Sequence, residues 1–231
     1  MTLAVVIPVL NEEAGLPVVL GSLKEQTAPP DRVVVADAGS RDRTAEVARA
    51  LGAEVLITRE RGRGNQIAAA ITAATEDVIL VAHADMRFPP HALASVRAYL
   101  AKHPDFPGGS LGHRFDSRRR IYRVIEWFDR RRAARGHPYG DQAQFFRHAV
   151  VARAGGFPAQ PIMEDVELSS RLRGLGPVAY LDCPVRVSPR RFEEKGIIRT
   201  LWQNWRFRAA YSRGGLAACR AIHERYYHHT Q

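Results

Sequence analysis

Polar side chains suited to metal and phosphate chemistry follow successive hydrophobic runs in the first part of the chain. They form the segments Asn11-Glu12-Glu13, Asp37-Ala38-Gly39-Ser40, Arg61-Gly62-Arg63-Gly64-Asn65 and His83-Ala84-Asp85. A carboxylate beside a histidine, as in the last segment, can bind a divalent metal, and arginines among glycines before a helix suit a phosphate group. Taken singly, each segment also has a structural interpretation as a helix cap, a turn or a solvated loop.

An acidic pair later in the chain could supply a proton acceptor. Glu164 and Asp165 follow Pro161-Ile162-Met163 at the predicted start of a helix. A positioned carboxylate that removes the proton of a hydroxyl group contributes typically about 10²- to 10⁴-fold to a rate. Asp165 is therefore the candidate general base, and an ordinary acidic first helical turn is the structural alternative.

The order of the predicted elements places these segments on one edge of a sheet. Short β-rich runs alternate with helical patterns, which predicts βαβ units and a mostly parallel sheet. Ligands bind beyond the carboxyl ends of parallel strands, so the polar segments at the strand ends should lie close together. We predict strands at 3–9, 32–37, 54–57 and 77–82, and helices at 12–24, 42–51, 65–74 and 89–102, with Ser40 capping the second helix, Gly52 ending it and Pro89-Pro90 opening the fourth.

The pattern changes after Gly108. It predicts shorter strands at 109–115 and 141–146 around a basic amphipathic helix at 117–135, and helix from 195 onward. No linker, repeat or low-complexity tract separates the two halves. We therefore expect one α/β domain over 1–231 whose second half extends the same sheet.

The order of the motifs resembles glycosyltransferase family 2 with the GT-A fold, over roughly residues 3–192. The resemblance implies a twisted, mostly parallel sheet flanked by helices. It also implies a nucleotide-sugar-binding half at 1–105, an acceptor and catalytic half at 106–192 and a helical extension at 193–231. The segments that carry it are Ile7-Pro8-Val9-Leu10-Asn11-Glu12-Glu13, Asp37-Ala38-Gly39-Ser40-Arg41-Asp42, Gly62-Arg63-Gly64, His83-Ala84-Asp85 and Met163-Glu164-Asp165.

Carried onto matching positions, the resemblance implies transfer of a sugar from a UDP- or GDP-linked donor. Asp85 would bind Mg²⁺ or Mn²⁺, while His83 replaces the first carboxylate of the family's Asp-x-Asp motif, which leaves its part in metal binding open. Asp165, with Glu164 beside it, would be the base of a single displacement that inverts the anomeric carbon. The donor-binding residues implied are Pro8, Asn11, Glu12, Asp37, Gly39, Ser40, Arg63 and Ala84.

Two further segments resemble a smaller subgroup of this family, described as arsenosugar-biosynthesis or radical-SAM-associated transferases. Tyr139-Gly140-Asp141-Gln142 matches its acceptor side, and Arg190-Arg191-Phe192 matches it as well. Arg190 or Arg191 could pair with a donor diphosphate, because guanidinium binds phosphate in a bidentate way. Two solvated surface arginines are the alternative.

Charge and hydrophobic patterning bear on location and partners. The net charge is +10 with two cysteines, and the start of the chain shows no basic leader, so we expect a cytoplasmic protein. Basic helices carry apolar faces, which would either contact an anionic membrane and a lipid-linked acceptor or pack on the sheet. The first face consists of Ile121, Val124, Ile125 and Phe128, and packing on the sheet is its preferred interpretation. The second face consists of Ile198, Leu201, Trp202 and Trp205. The histidines 223, 228 and 229 are assigned to a flexible tail.

Other protein classes fit the sequence less well. A dinucleotide oxidoreductase needs a glycine-rich turn after the first strand, and Asn11-Glu12-Glu13 stands there instead. A nucleotidyltransferase of related fold stays open as an enzyme alternative. A basic nucleic-acid-binding protein is the non-enzymatic alternative, and charge alone supports it. We expect the partners to be a nucleotide sugar and a lipid-linked or small-molecule acceptor, not nucleic acid.

Overall fold

The structure is a computed structural model that describes residues 1–58, 60 and 62–227, with the side chains of 220–227 left out of the description. Strands and helices alternate through the first half and are shorter in the second. The strands are β1 (Leu3–Val9), β2 (Arg32–Asp37), β3 (Glu54–Ile57), β4 (Val78–Val81), β5 (Met86–Arg87), β6 (Gly108–Ser110), β7 (His113–Phe115), β8 (Gln144–Arg147), β9 (Val178–Tyr180) and β10 (Val185–Val187). The helices are α1 (Leu16–Lys24), α2 (Thr44–Ala50), α3 (Arg63–Thr72), α4 (Ala92–Lys102), α5 (Arg120–Ala133), α6 (His148–Arg153), α7 (Glu164–Leu175), α8 (Arg190–Lys195) and α9 (Ile197–Tyr227), with a 3₁₀ turn at Gly140–Gln142.

A seven-stranded sheet forms the centre of the fold in the order β3-β2-β1-β4-β8-β6-β9. Strands β1 to β4 are mutually parallel, β8 runs antiparallel to both β4 and β6, and β9 pairs parallel with β6. The mostly parallel α/β class is therefore confirmed, and the second half does extend the same sheet. A smaller sheet of β5, β10 and β7, which the sequence did not predict, packs beside it.

The central strand β1 shows why the sheet is buried on both faces. All seven of its residues are buried, as expected for a parallel strand with helices on either side. Leu3, Val5 and Ile7 join one apolar core, which also receives α1 and α4. Ala4 and Val6 join the other, which receives α3 and α7. Alternate side chains of one strand thus stabilise both layers.

Two predicted helix starts are wrong because loop contacts, not helical turns, occupy those residues. The first helix begins at Leu16 instead of residue 12, since Asn11 has a φ of 56° and the chain turns before Gly15. The second begins at Thr44 instead of residue 42, and its N-cap position is Arg43. Ser40 does not cap it, because its hydroxyl donates to Asp37 Oδ1 at 2.7 Å.

Other boundaries differ for similarly local reasons. The fourth helix begins at Ala92, after the two prolines that were expected to open it. The predicted strand at 109–115 is divided between the two sheets at Gly112, which has a φ of 78° and lies against the Tyr180 ring. The predicted strand at 141–146 begins only at Gln144, after the 3₁₀ turn and a left-handed Ala143.

The apolar faces of α5 and α9 are exposed to a large extent. On α5, Ile125 packs into the core, but Val124 is 50% exposed and Phe128 62% exposed. The prediction that this face packs on the sheet is therefore wrong for most of its residues, Ile121 included. On α9, Trp202 is 54% exposed, and Ile198, Leu201 and Trp205 also face solvent. No helix within the described part of the chain is long and apolar enough to cross a membrane.

Candidate active site

The loops after β1 and β2 are joined by hydrogen bonds at the carboxyl edge of the sheet. Asp37 is buried, and its Oδ1 accepts from the Ser40 backbone N–H at 2.9 Å. The Ser40 hydroxyl accepts in turn from the Asn11 N–H at 2.9 Å, and Asn11 Oδ1 accepts from the Arg41 N–H at 2.8 Å. Gly39 supplies the left-handed residue of this turn, with a φ of 84°. Among the predicted donor-binding residues, Asn11, Asp37 and Ser40 therefore belong to one hydrogen-bonded network.

Strand β4 adds His83, Ala84 and Asp85 to the same edge. Strand β4 pairs with β1 on the side opposite β2, so the crevice between β1 and β4 is the switch point at which ligands bind in such sheets. Ala84 is buried, and its carbonyl oxygen would lie only 2.9 Å from a Cβ added to Gly15, which brings the α1 start against this loop. Pro8, also predicted to touch the donor, is buried within β1.

Burial and neighbouring charges set the protonation of His83 and Asp85. Burial, together with the positive charge of Arg63, lowers the pKa of His83 to about 3, so its imidazole is neutral at physiological pH. Its buried Nε2 has no hydrogen-bond partner among the described residues. The carboxyl of Asp85 reaches solvent, but burial of its inner side and the nearby charge of Asp141 raise its pKa. A neutral nitrogen and a carboxylate two residues apart fit a divalent cation.

The predicted acidic pair begins α7, and its two carboxylates have different surroundings. Glu164 is buried and forms a short ion pair with Arg63. Burial nevertheless raises the pKa of Glu164, and the adjacent charge of Asp165 adds to the effect. The Asp165 side chain keeps 14% exposure, and Arg63 Nη2 lies 3.8 Å from its Oδ2. Asp165 is thus the more accessible carboxylate of the pair.

Gly140 brings the two parts of the site together. Its backbone N–H donates to Asp165 Oδ2 at 2.8 Å. A Cβ added to Gly140 would lie 3.1 Å from His83 Nε2 and 3.3 Å from Asp165 Oδ2. The end of β4, the 3₁₀ turn and the start of α7 therefore converge on one point. Gln144 supports this arrangement, because its amide donates to the Asp165 carbonyl oxygen at 3.1 Å and to Ser169 Oγ at 2.8 Å.

A cavity of about 420 Å³ opens at this point. Arg63, Tyr139, Asp141, Glu164 and Asp165 line it on one side, together with Arg191. Helix α9 closes the other side with residues that the sequence analysis did not identify as part of a site. These are Asn204, Phe207 and Arg208.

Helix α9 is held against α7 by a partly buried polar contact. The Tyr211 hydroxyl donates to Glu167 Oε2 at 2.6 Å. Burial and this hydrogen bond raise the pKa of Tyr211 to about 12, so the hydroxyl keeps its proton and remains a donor. The contact fixes the wall of the cavity to the helix that carries Asp165.

The two predicted phosphate-binding arginines have different positions. Arg190 Nη2 lies 3.9 Å from Glu12 Oε2, whereas Arg191 lines the cavity. Burial and the charges of Asp85 and Asp42 raise the pKa of Glu12, and Arg190 only partly offsets them. Glu12 thus lies at the carboxyl edge of the sheet with the Arg190 guanidinium beside it.

The glycines around Arg63 have a packing role. A Cβ added to Gly64 would lie 2.2 Å from the Gln160 carbonyl oxygen, and one added to Gly62 would lie 2.6 Å from Pro161 Cα. They allow α3 to approach the segment before α7, which places Arg63 on the acidic pair. Arg59, Arg61 and the histidines 228 and 229 lie outside the described residues.

A second cluster of ligand-type side chains was missed by the sequence analysis. His113, Asp129 and Asp141 come from β7, α5 and the 3₁₀ turn. Each offers one ligand atom, and these atoms lie within 4.8 Å of one another. Among them only Asp141 was singled out, as an acceptor-side residue. His113 and Asp129 are single residues in unremarkable surroundings, so no local sequence signal marks them.

Sequence comparison agrees with this geometry. The profile described as Glycosyl transferase family 2 matches residues 4–154. The chain belongs to glycosyl transferase family 2. A relative named undecaprenyl-phosphate 4-deoxy-4-formamido-L-arabinose transferase, from Pectobacterium carotovorum, is 30% identical over 162 residues, which are 64% of this chain and 50% of the relative. The protein of that name from Shewanella sediminis is 27% identical over 206 residues, 78% of this chain and 62% of the relative. The chain therefore spans only part of the length of these family members.

Solved structures share the fold of this chain. A mannosyltransferase from Pyrobaculum calidifontis, in complex with GDP-Man and Mn²⁺, superimposes with a TM-score of 0.67 at 22% identity, covering 90% of this chain and 60% of that one. Residues 1–349 of TarS from S. aureus, in complex with UDP-GlcNAc, superimpose with a TM-score of 0.64 at 18% identity, covering 81% and 58%. The fold of this family member is therefore the GT-A fold.

Proposed function

We propose that this family 2 protein transfers a sugar from a nucleoside-diphosphate sugar to an acceptor hydroxyl or phosphate group by metal-assisted single displacement with inversion. The observation that carries the proposal is that Gly140 lies close to both His83 and Asp165, which brings the end of β4 next to the carboxylate that lines the cavity. A metal-binding edge and a carboxylate base within contact of the same glycine are what such a transfer requires.

The donor edge supports binding of the nucleotide. Asp37, Ser40 and Asn11 are held by mutual hydrogen bonds, so their remaining polar atoms are preorganised for a ribose and base. We propose a UDP- or GDP-linked donor, since the related structures hold UDP-GlcNAc and GDP-Man. Arg191 faces the cavity and is placed to contact the diphosphate.

Asp85 and His83 would hold Mg²⁺ or Mn²⁺, and Mn²⁺ accompanies GDP-Man in the related mannosyltransferase. When bound, the cation offsets the negative charge that develops on the departing diphosphate. His83 contributes a neutral ligand in place of a carboxylate, because its pKa of about 3 keeps the imidazole unprotonated. We therefore propose that, before the donor diphosphate binds, His83 and Asp85 hold the metal more weakly than two carboxylates would.

Asp165 serves as the base in this proposal. Its Oδ2 accepts from the Gly140 N–H and its Oδ1 from the Val166 N–H at 2.9 Å, so the carboxylate is fixed at the cavity surface. With a hydroxyl acceptor, the acceptor oxygen forms its bond to the anomeric carbon, the bond to the diphosphate breaks and the acceptor proton passes to Asp165. Glu164 is buried and paired with Arg63, and it orients this segment.

The surface beside the cavity supports a lipid-linked, anionic acceptor. A groove of about 810 Å³ adjoins the cavity, shares Tyr139 and Arg208 with it, and is lined by Trp127, Phe128 and several arginines. The two relatives are named for transfer involving undecaprenyl phosphate. Arginines suit a phosphate group, and exposed aromatic side chains suit the membrane interface. We therefore propose an acceptor delivered from a membrane to which α5 and α9 bind peripherally.

The donor and the roles of the two carboxylates can be tested by thermal-shift titration. UDP, GDP, CDP and dTDP sugars are added with and without Mn²⁺, and a ligand at a hundredfold excess over its dissociation constant stabilises the protein by about 2.7 kcal/mol. We expect one nucleotide class to give a metal-dependent shift, Asp85→Ala to weaken it, and Asp165→Asn to keep it while abolishing transfer. Asp116→Asn, an exposed carboxylate away from the cavity, is the control. Equal activity in all three variants would contradict the proposal.

The membrane surface has a separate test. Binding to vesicles with about 30% anionic lipid is measured by sedimentation, and we expect Trp202→Ser with Trp205→Ser to weaken it several-fold. Val18→Ser removes an apolar side chain of similar exposure, 52%, from the distant helix α1 and should have no effect. Unchanged binding in the tryptophan variant would show that α9 does not contact the lipid.

A further inference from the structure

A buried imidazole between two carboxylates lies behind the candidate active site. His113 Nε2 lies 3.7 Å from Asp129 Oδ2, and His113 Nδ1 lies 3.7 Å from Asp141 Oδ2. The His113 side chain has no solvent exposure, while Asp141 is 48% exposed and lines the cavity. The cluster is therefore closed on the protein side and open on the side of the cavity.

The imidazole lacks the hydrogen bonds that its burial demands. Neither ring nitrogen has a hydrogen-bond partner among the described residues, and separations of 3.7 Å are too long for such bonds. Buried polar atoms are nearly always satisfied in folded proteins. An imidazole that is fully buried, unpartnered and directed at two carboxylates indicates a missing ligand.

We propose that His113, Asp129 and Asp141 bind a divalent first-row transition cation. Their ligand atoms lie within 4.8 Å of one another, so only a small contraction is needed for bonds of about 2.0 to 2.2 Å to one ion. Two carboxylates and a neutral imidazole balance the charge of a divalent ion, and a mixed nitrogen and oxygen donor set favours Mn²⁺, Fe²⁺, Co²⁺ or Zn²⁺ over Mg²⁺ or Ca²⁺.

The surroundings of the cluster hold its ligands in place. Arg132 Nη2 contacts Asp129 Oδ1 at 2.6 Å, which leaves Oδ2 to face His113. One ring nitrogen of His113 can bind the ion while the other keeps its proton, as is common for metal-bound histidines. The ion would enter from solvent past the exposed side of Asp141.

This site is different from the one proposed at Asp85 and does not depend on transferase activity. Its ligands come from β7, α5 and the 3₁₀ turn, whereas His83 and Asp85 follow β4. An ion bound by Asp141 would fix the turn whose Gly140 N–H donates to Asp165. We therefore assign it a positioning role for the base and not a role in contacting the donor.

The test measures metal binding directly. Mn²⁺ is titrated into the chelator-treated 231-residue chain without nucleotide, and free ion is counted by its EPR signal. We expect saturable binding that Asp129→Asn and Asp141→Asn each weaken at least about tenfold, as loss of a ligand or its support commonly does. Asp85→Asn separates this site from the donor site and should retain the binding. Asp182→Asn is the matched control, because it removes an exposed carboxylate that pairs with Arg130, which lies on α5 next to Asp129.

Several results would overturn the assignment. Absence of saturable Mn²⁺, Co²⁺ and Zn²⁺ binding up to about 1 mM would show that the cluster holds no such ion, as would wild-type affinity in both cluster variants. Loss of binding in Asp85→Asn alone would place the ion at the donor site. Asp141 is exposed, so Asp141→Asn should fold even if Asp129→Asn, which also disturbs the contact with Arg132, does not.

Discussion

Replacing Arg63 by Met should destabilise the fold through the buried carboxylate that it leaves behind. Glu164 is 2% exposed, and Arg63 is its ion-pair partner. A buried charge that loses its partner typically costs about 3 to 5 kcal/mol. The carboxyl can instead take up a proton, at about 1.4 kcal/mol for each pH unit above its ordinary pKa.

Protonation of Glu164 limits the loss of unfolding free energy and makes that loss depend on pH. With an ordinary pKa of 4.5, the cost arising from Glu164 cannot exceed about 4 kcal/mol at about pH 7.5 and about 1.4 kcal/mol at about pH 5.5. Burial already raises the pKa of Glu164, and removing Arg63 raises it further. The folded state then binds the proton more tightly than the unfolded state, so the variant loses stability as pH rises above 4.5.

Urea unfolding of the full chain at both pH values measures the effect. We expect Arg63→Met to lose more at the higher pH by up to about 2.7 kcal/mol, less the part that the wild type already loses because its Glu164 pKa is raised. Arg63→Met with Glu164→Gln should lie within about 1 kcal/mol of Glu164→Gln alone. Arg43→Met, which breaks an ion pair between side chains that are 77% and 71% exposed, is the control and should change little. Equal losses at the two pH values, or no relief from Glu164→Gln, would refute the reasoning.

Two further substitutions test the positioning of the proposed base, Asp165, and of the cavity wall. Gly140→Ala places a Cβ 3.3 Å from Asp165 Oδ2 and should shift the carboxylate by a few tenths of an ångström. We expect transfer to fall about tenfold or more with little change in melting temperature, whereas Gly21→Ala, whose Cβ meets nothing within 4 Å, should preserve transfer. Tyr211→Phe removes the hydrogen bond to Glu167 and should lower the unfolding free energy by about 1 to 2 kcal/mol in urea unfolding; an unchanged value would mean that α9 is held mainly by other contacts.

The sequence predicted the elements whose signals are local. The first strand, Leu3–Val9, was predicted with its observed ends because its unbroken apolar run can only be a buried parallel strand. The start of α1 was wrong because Asn11 adopts a positive φ that a local pattern does not reveal. The division of the predicted strand at Gly112 depends on the Tyr180 ring, which lies far along the chain. Errors therefore concentrate where distant segments decide the backbone.

The same distinction applies to the site. The carboxyl-edge rule brought His83, Asp85 and the donor loops together without any coordinates. It could not place Arg63 on Glu164, because that contact needs the close approach of α3 that Gly64 permits. It could not find His113 either, since the partners of that residue come from elements separated along the sequence. Residues that act through tertiary neighbours carry no spacing signal.

The boundary of the family match has a consequence for specificity. The match ends at residue 154, before Asp165 and before the α9 residues that close the cavity. The donor loops lie inside it, so donor chemistry is the property that we expect this protein to share most closely with its family. The cavity wall, formed by Asn204, Phe207 and Arg208, lies outside it. Exchanging α9 with that of a relative should therefore alter which acceptor is used while leaving the nucleotide class of the donor unchanged.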